Sequence, residues 1–424
     1  MRYAITKATV EQVKSVGGAD IKEARSTGII FASLTREQAD RLRSMGCQIA
    51  KVGQVQATIM SPPIVAPPTP VAAVPTYTPE QMVWATGLDE LRAMVEPPLY
   101  GEGLNLAIIG TGIRETHQKI NGRVVYSKNY TEDPMRDGFD HDTGVCSIVL
   151  AMAPLCNILN LKVLNEKGEG TEEEVALAID DCISLWDEDP SIAPSVINLS
   201  LGGPDDGNPD NPLRVVCRAA IDRGIWVLAS AGNSGPAPYS ITCPACEQYV
   251  FAVGSLKYEP FTISEWSSRG PTFEGLIKPD GVMFGEDIAM ASSVSDTATI
   301  AKSGTSFAAP FGSGAILLYL EGAYRQAVPV QPVAGIVEEL GPVPSHEEVF
   351  NTYFPMICVK PEGAPIGKDY DYGYGLPYGP LVIRALTLKP LADIPSMLME
   401  VVSPMVILAM MGMMIIPMAK GLRR

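Results

Sequence analysis

Basic residues are in deficit in this 424-residue chain: Lys and Arg number 32 against 48 Asp and Glu, a formal net charge of −16 with no basic run. Affinity for nucleic acid rests largely on counterion release by clustered cations, so no nucleic-acid partner is expected. Cysteine is sparse, eight in all, which excludes a disulfide scaffold in a chain of this length. The one close pair, Cys243-Pro244-Ala245-Cys246, has no second pair at zinc-binding spacing, and neither a metal nor a cofactor is expected. That pair reads either as a local redox pair or as two buried thiols, and Cys146 and Cys182 as core residues without chemistry. What the chain has in quantity is apolar side chains, 46% against 19% charged, enough for a large core and more than one domain.

The most informative stretch is Gly304-Thr305-Ser306-Phe307-Ala308-Ala309-Pro310. A bare turn running straight into a helix exposes a hydroxyl as a nucleophile, and Ser306 is the candidate. Gly304 admits another backbone, Ala308 and Ala309 keep the first turn slim, and the helix N-terminus offers N–H groups to a developing oxyanion. His141, in His141-Asp142-Thr143-Gly144-Val145, is the candidate general base. Asn233, in Ser230-Ala231-Gly232-Asn233-Ser234-Gly235-Pro236, is the candidate side-chain donor to the oxyanion.

Ser200-Leu201-Gly202-Gly203, Trp266-Ser267-Ser268-Arg269-Gly270-Pro271, Lys278-Pro279-Asp280 and Tyr372-Gly373-Tyr374-Gly375 complete an ordered set. With them the chain resembles the subtilases, subtilisin-like serine peptidases, over roughly residues 78 to 390. The resemblance implies a serine-type endopeptidase acting through a Ser306 acyl-enzyme. It also makes Ser200, Leu201, Gly202 and Gly203, with Gly168 and Gly170, the two backbone segments that pair an extended peptide or protein substrate. His117 corresponds to a surface, non-catalytic histidine of the family, and His346 lies in no motif.

The departure is in Leu106-Ala107-Ile108-Ile109-Gly110-Thr111. Where the family's strand ends in the triad aspartate this chain has Gly110, and where the family has glycine after the histidine it has Asp142. The missing carboxylate normally holds the histidine's tautomer and stabilises the imidazolium. Asp142, or Asp140 on the other side, is the candidate substitute, which requires an oxygen within about 3 Å of the ring nitrogen. The opposing reading is an acidic turn facing water (Asp137, Asp140, Asp142). Gly144 stands in place of the motif's second, non-catalytic histidine, so the turn as a whole is remodelled.

Residues 1–60 form a unit of their own. Arg2 to Thr6 and Gly28 to Ser33 read as strands, Thr35 with Gln38 as a capping box opening a helix that Gly46 ends, and Val52 to Val55 as a last strand. The order resembles the subtilase propeptide, which chaperones the peptidase and blocks its cleft, making this unit a partner of the rest of the chain. An unrelated α/β appendage is the alternative. Residues 61–77, with Pro62, Pro63, Pro67, Pro68, Pro70 and Pro75, are a linker.

Residues 78–390 alternate apolar runs (Leu106 to Ile109, Ile158 to Val163, Val196 to Leu199, Trp226 to Ala229, Val250 to Val253) with helical segments, one opened by the capping box Thr171/Glu174. That pattern predicts an α/β fold with a doubly wound, mainly parallel sheet and the active site at its strand carboxyl ends. Residues 391–424 hold Val401 to Ala419, 19 residues without a charge ahead of Lys420, Arg423 and Arg424. This reads as a single-pass transmembrane anchor with its C-terminus in the cytoplasm and the peptidase outside. Met1 to Glu11 carries no apolar export signal, which leaves open an incomplete start, another export route, or a tail-anchored domain that stays in the cytosol.

Three classes of function stay in view. The first is a membrane-anchored serine endopeptidase, weakened by the missing acid. The second is a pseudoprotease that binds extended peptides or its own N-terminal unit without cleavage. The third is a structural surface protein with no ligand in the cleft. Nucleophile, base and oxyanion amide occurring together rank activity first.

Overall fold

The computed structural model describes residues 1–59, 76–89, 92, 95–96, 98–325, 328–329 and 354–377. The first 59 carry β1 (Arg2–Thr6), α1 (Val10–Ser15), β2 (Ala19–Ala24), β3 (Ile29–Ser33), α2 (Arg36–Ser44), β4 (Gln48–Lys51) and β5 (Gln54–Ala57). Capping boxes Thr9/Gln12 and Thr35/Gln38 start the two helices. The first four strands form an antiparallel sheet in the order β2-β3-β1-β4.

Period-two alternation gives this sheet two uses. Tyr3 and Ile5 pack with Val13, Ile30 and Leu42 under the unit's own helices, while Ala4, Ile29 and Phe31 join the core of the larger domain. The strand expected through Val52 and Val55 divides at Val52-Gly53: β4 stays in the small sheet and β5 leaves it.

The larger domain then runs α3 (Pro79–Ala85), β6 (Val95–Glu96), β7 (Asn105–Gly110), β8 (Val124–Asn129), α4 (Asp142–Met152), β9 (Asn157–Lys162), β10 (Glu169–Thr171) and α5 (Glu172–Glu188). It continues with β11 (Val196–Leu199), β12 (Leu201–Gly202), α6 (Pro212–Asp222), β13 (Trp226–Ser230), β14 (Phe251–Lys257), β15 (Thr262–Ile263), β16 (Gly281–Phe284), β17 (Ile288–Ala291), β18 (Thr299–Lys302) and α7 (Thr305–Arg325).

An eight-stranded sheet in the order β15-β14-β13-β11-β7-β9-β8, with β16 beside β14, is parallel except where β15 joins β14. The chain winds outward in both directions from β7, so its carboxyl end is a switch point where α/β sheets place their sites.

The central strands β7, β11 and β13 read as largely apolar runs because both faces are covered. Leu106, Ile108, Val196 and Leu228 share a core with α4 and α7, while Ala107, Ile109, Ile197 and Val227 pack toward α5 and α6. Burying one Leu or Ile this way contributes about 1.5–3 kcal/mol, and Cys146, Cys182 and Cys217 are buried with them.

The expected membrane anchor requires correction. Among the described residues no helix is long and apolar enough to cross a membrane. The longest, α7, carries Glu321 and Arg325 and is packed against α4 and the sheet strands β11, β13 and β14, so its apolar surface is covered by protein. Val401 to Ala419, and the whole of 391–424, lie outside the described residues. Neither the transmembrane helix nor a membrane-anchored location is retained.

Candidate active site

Ser306 sits in the first turn of α7 and is fully buried. Its position is fixed from both sides. Pro310 has no N–H to donate to the carbonyl four residues back, and that carbonyl, of Ser306, instead accepts from Ser200 Oγ at 2.8 Å. The Ser306 hydroxyl lies 2.9 Å from Ser200 O and 2.6 Å from both Thr58 O and Thr58 Oγ1.

His141 precedes α4 with φ −127° and ψ −62°, outside the helical geometry that Asp142 begins. This break turns two neighbouring side chains to the same side: His141 Nδ1 stands 2.6 Å from Asp142 Oδ1, both groups buried. The other oxygen, Oδ2, accepts Thr111 N–H at 2.6 Å, and Asp142 N–H donates to Thr111 Oγ1 at 3.1 Å. A Cβ built on Gly110 would lie 2.2 Å from Asp142 Oδ2. The carboxylate therefore occupies the space that any side chain at 110 would fill, and Gly110 and Asp142 are one arrangement. Asp140 makes its bonds elsewhere, accepting from Ser292 Oγ at 2.9 Å and Ser293 N–H at 2.6 Å beside Lys302.

The His141 ring packs 5.3 Å from that of Phe307, the residue after Ser306, and its Nε2 is buried without a hydrogen-bond partner. Asn233 Oδ1 accepts Thr305 N–H and Thr305 Oγ1–H, each at 2.9 Å, which leaves Nδ2 as the free, buried end of the amide. A Cβ built on Gly304 would lie 2.7 Å from Thr58 O and 3.5 Å from Asn233 Nδ2. Glycine at 304 is what lets that carbonyl approach.

The tail of the first unit lies in this cleft. β5 runs antiparallel between β10 and β12, with Val55 opposite Gly170, Gln56 opposite Gly202 and Ala57 opposite Leu201. Ala57 N–H donates to Gly168 O at 3.0 Å, Thr58 N–H to Ser200 O at 3.3 Å, and Ser306 N–H to Thr58 O at 3.4 Å. Gly203 pairs by its backbone with Cys243, and a Cβ there would come within 2.5 Å of Gln54 O.

The model of the Subtilase family matches residues 101–375. The chain belongs to the subtilase family. Among similar proteins, serine protease AprX of Bacillus subtilis (strain 168) is 30% identical over 258 residues, 53% of this chain and 58% of that one. The subtilisin-like proteases 1 of Trichophyton tonsurans and Trichophyton equinum are each 28% identical over 235 residues, 54% of this chain and 44% of theirs. The subtilase thus spans about half the length of these relatives.

Beneath the histidine of this subtilase is a residue that sequence reasoning treated only as part of an acidic turn. Asp137 accepts from His141 N–H, Thr143 N–H, Thr143 Oγ1 and Thr111 Oγ1 at 2.7–3.1 Å. Burial first, then the charge of Asp142, push its carboxyl above the usual range in spite of those donors. Lys162, fully buried, donates to Thr111 O at 2.7 Å and Leu164 O at 2.9 Å and places a cation under the two carboxylates. Burial pulls its pKa down, against the charges of Asp137, Asp142, Asp133 and Glu166. At Gly144, where the motif's second histidine would be, a Cβ would meet Met290 Sδ at 2.5 Å.

His117 is buried, not on the surface, with Nε2 3.0 Å from Ala298 O, and His346 lies outside the described residues. Cys243 and Cys246 are free and buried, and a hydrogen bond to Cys246, with burial, pushes the Cys243 thiol up. Among the described residues no cluster of His, Cys, Asp and Glu could hold a metal ion. Thr58 and Ser230 went unread. The signal available was the alternation Val55-Gln56-Ala57-Thr58 just ahead of the proline-rich linker.

Proposed function

We propose that this subtilase is a serine endopeptidase whose residues 1–58 act as a propeptide and whose first substrate bond is Thr58–Ile59. The supporting observation is the placement of the Thr58 carbonyl, with Ser306 Oγ at 2.6 Å and Ser306 N–H at 3.4 Å. The relatives named as serine protease and subtilisin-like protease point the same way.

In this reading Ser306 Oγ attacks the Thr58 carbonyl carbon while His141 Nε2 takes the proton. Asp142 accepts from Nδ1–H, which holds the tautomer and stabilises the imidazolium, the role a carboxylate at position 110 would otherwise play. The Ser306 N–H and Asn233 Nδ2 receive the developing oxyanion. His141 then protonates the Ile59 nitrogen as the C–N bond breaks, and water hydrolyses the Thr58 ester on Ser306 by the same route. Asp137 serves as a positioning residue, tying the His141 backbone to Thr111 and Thr143. The tail's backbone pairing fits extended peptides of broad sequence.

A second reading, a pseudoprotease holding its own tail, draws on one observation. Ser306 Oγ hydrogen-bonds the tail and Ser200, and His141 Nε2 has no partner. Intact mass and N-terminal sequencing of the purified chain separate the two. A new N-terminus at Ile59, absent from Ser306→Ala, supports the peptidase. A chain that stays whole at all times and fails to react with a fluorophosphonate leaves the pseudoprotease.

A further inference from the structure

We infer that the cleft selects a β-hydroxyl residue, threonine or serine, on the acyl side of the scissile bond, and that Ser230 reads it. The inference rests on the peptidase reading for its substrate and on separate contacts for its content.

Thr58 is 7% exposed and Ser230 0%, so this contact is made away from water. Thr58 Oγ1 lies 2.6 Å from Ser230 Oγ and 2.6 Å from Ser306 Oγ. The other acceptors near Ser230 Oγ, Leu199 O at 3.4 Å and Leu201 O at 3.5 Å, lie at the limit of hydrogen bonding. The Thr58 hydroxyl is thus the one well-placed partner of Ser230 among the described residues.

Valine has the shape of threonine without the hydroxyl. With valine at this position the buried Ser230 hydroxyl retains only the two long contacts, and an unsatisfied buried polar group costs about 1–3 kcal/mol. A site that hydrogen-bonds a substrate hydroxyl discriminates against the analogue lacking it far better than an apolar pocket discriminates by size. Ser230 ends β13, directly before the turn that carries Asn233, so it is held by the parallel sheet and not by a loop. The neighbouring residues add less: Ala57 and Val55 are buried and Gln56 is exposed, an ordinary strand alternation.

The experiment uses the full chain. The half-life of self-cleavage is measured for Thr58, Thr58→Ser and Thr58→Val, each with Ser230 and with Ser230→Ala. The expected result is a Thr58→Val chain slower by about tenfold or more, a Thr58→Ser chain close to the parent, and a threonine-to-valine ratio within about twofold once Ser230→Ala is present. Equal half-lives for threonine and valine, or a preference unchanged by Ser230→Ala, would overturn the inference while leaving the peptidase intact.

If the chain does not cut at all, the peptidase reading fails, and the same contact is read by amide exchange at Ala57 and Thr58 in full-length Ser306→Ala protein. There Thr58→Val is expected to speed exchange about tenfold with Ser230 present and little with Ser230→Ala. Exchange indifferent to both changes overturns the selection.

Discussion

Gly110→Ala is the most discriminating single change available in this protein. The new Cβ would stand 2.2 Å from Asp142 Oδ2 and 2.9 Å from Cγ and Oδ1, against the 3.0 Å below which real contacts essentially do not occur. The carboxylate must withdraw by at least about 0.8 Å, or the β7 end must move. Either shift disturbs both its bond to Thr111 N–H and its bond to His141 Nδ1, each 2.6 Å long.

A misplacement of about 1 Å in a catalytic constellation costs on the order of 10²-fold, so turnover should fall by about that factor, roughly 2.7 kcal/mol of barrier. Asp142→Asn, which also spoils the tautomer, should cost about 10⁴-fold. The double exchange Gly110→Asp with Asp142→Gly should run at least about tenfold faster than Asp142→Gly alone, because it returns a carboxylate to the same space. The assay is the rate of fluorophosphonate labelling, with unfolding midpoints measured in parallel to separate lost structure from lost chemistry. A Gly110→Ala protein labelled as fast as the parent would refute the reasoning, as would a double exchange no faster than Asp142→Gly.

Three further outcomes follow from the same geometry. Asn233→Ala removes the free Nδ2 donor and should lower kcat by about 10²–10³-fold with KM little changed; a loss confined to KM would argue for a binding role. Asp180→Ala removes the acceptor of Ser26 N–H, Thr27 N–H and Thr27 Oγ1 in the turn between β2 and β3. Amide exchange at Ser26 and Thr27 should quicken by about 5–150-fold, the equivalent of about 1–3 kcal/mol, and unchanged exchange would mean that the Asp180 carboxylate does not hold this turn. Asp137, raised above its unfolded value, supplies stability that is complete below that value, near 3.9, and is lost as pH rises through the folded one. Asp137→Asn should flatten this decline, so urea midpoints of the two proteins running parallel from pH 4 to 7 would contradict it.

Much of this was legible in the residues. The strands of the large sheet stand out because Leu106 to Ile109 and Val196 to Leu199 are buried on both faces and are apolar but for Asn198. The turn at Gly304 is legible because close backbone approach demands glycine there, and the Thr58 carbonyl is what approaches. The helix starts at Thr35 and Thr171 are legible because capping is local chemistry.

Other features were not. The parting of β4 from β5 at Val52-Gly53 has no local mark stronger than one glycine, since it is set by where β10 and β12 wait for a strand. The weight of Asp137 is likewise invisible until four donors from Thr111, His141 and Thr143 converge on it.

Sequence alone determined the order of α/β elements, the identities of the candidate nucleophile, base and oxyanion amide, and the vacancy at Gly110, because each is a matter of residue type and spacing. Tertiary structure decided which carboxylate stands beside His141. Neighbouring side chains normally diverge, and only the break in φ and ψ at His141, with a bare Gly110 on the adjacent strand, brings the Asp142 carboxylate to the ring nitrogen. It also decided what lies in the cleft. The register that sets Thr58 against Ser306 and Ser230 comes from residues 113 to 248 positions away, at separations no local pattern can encode.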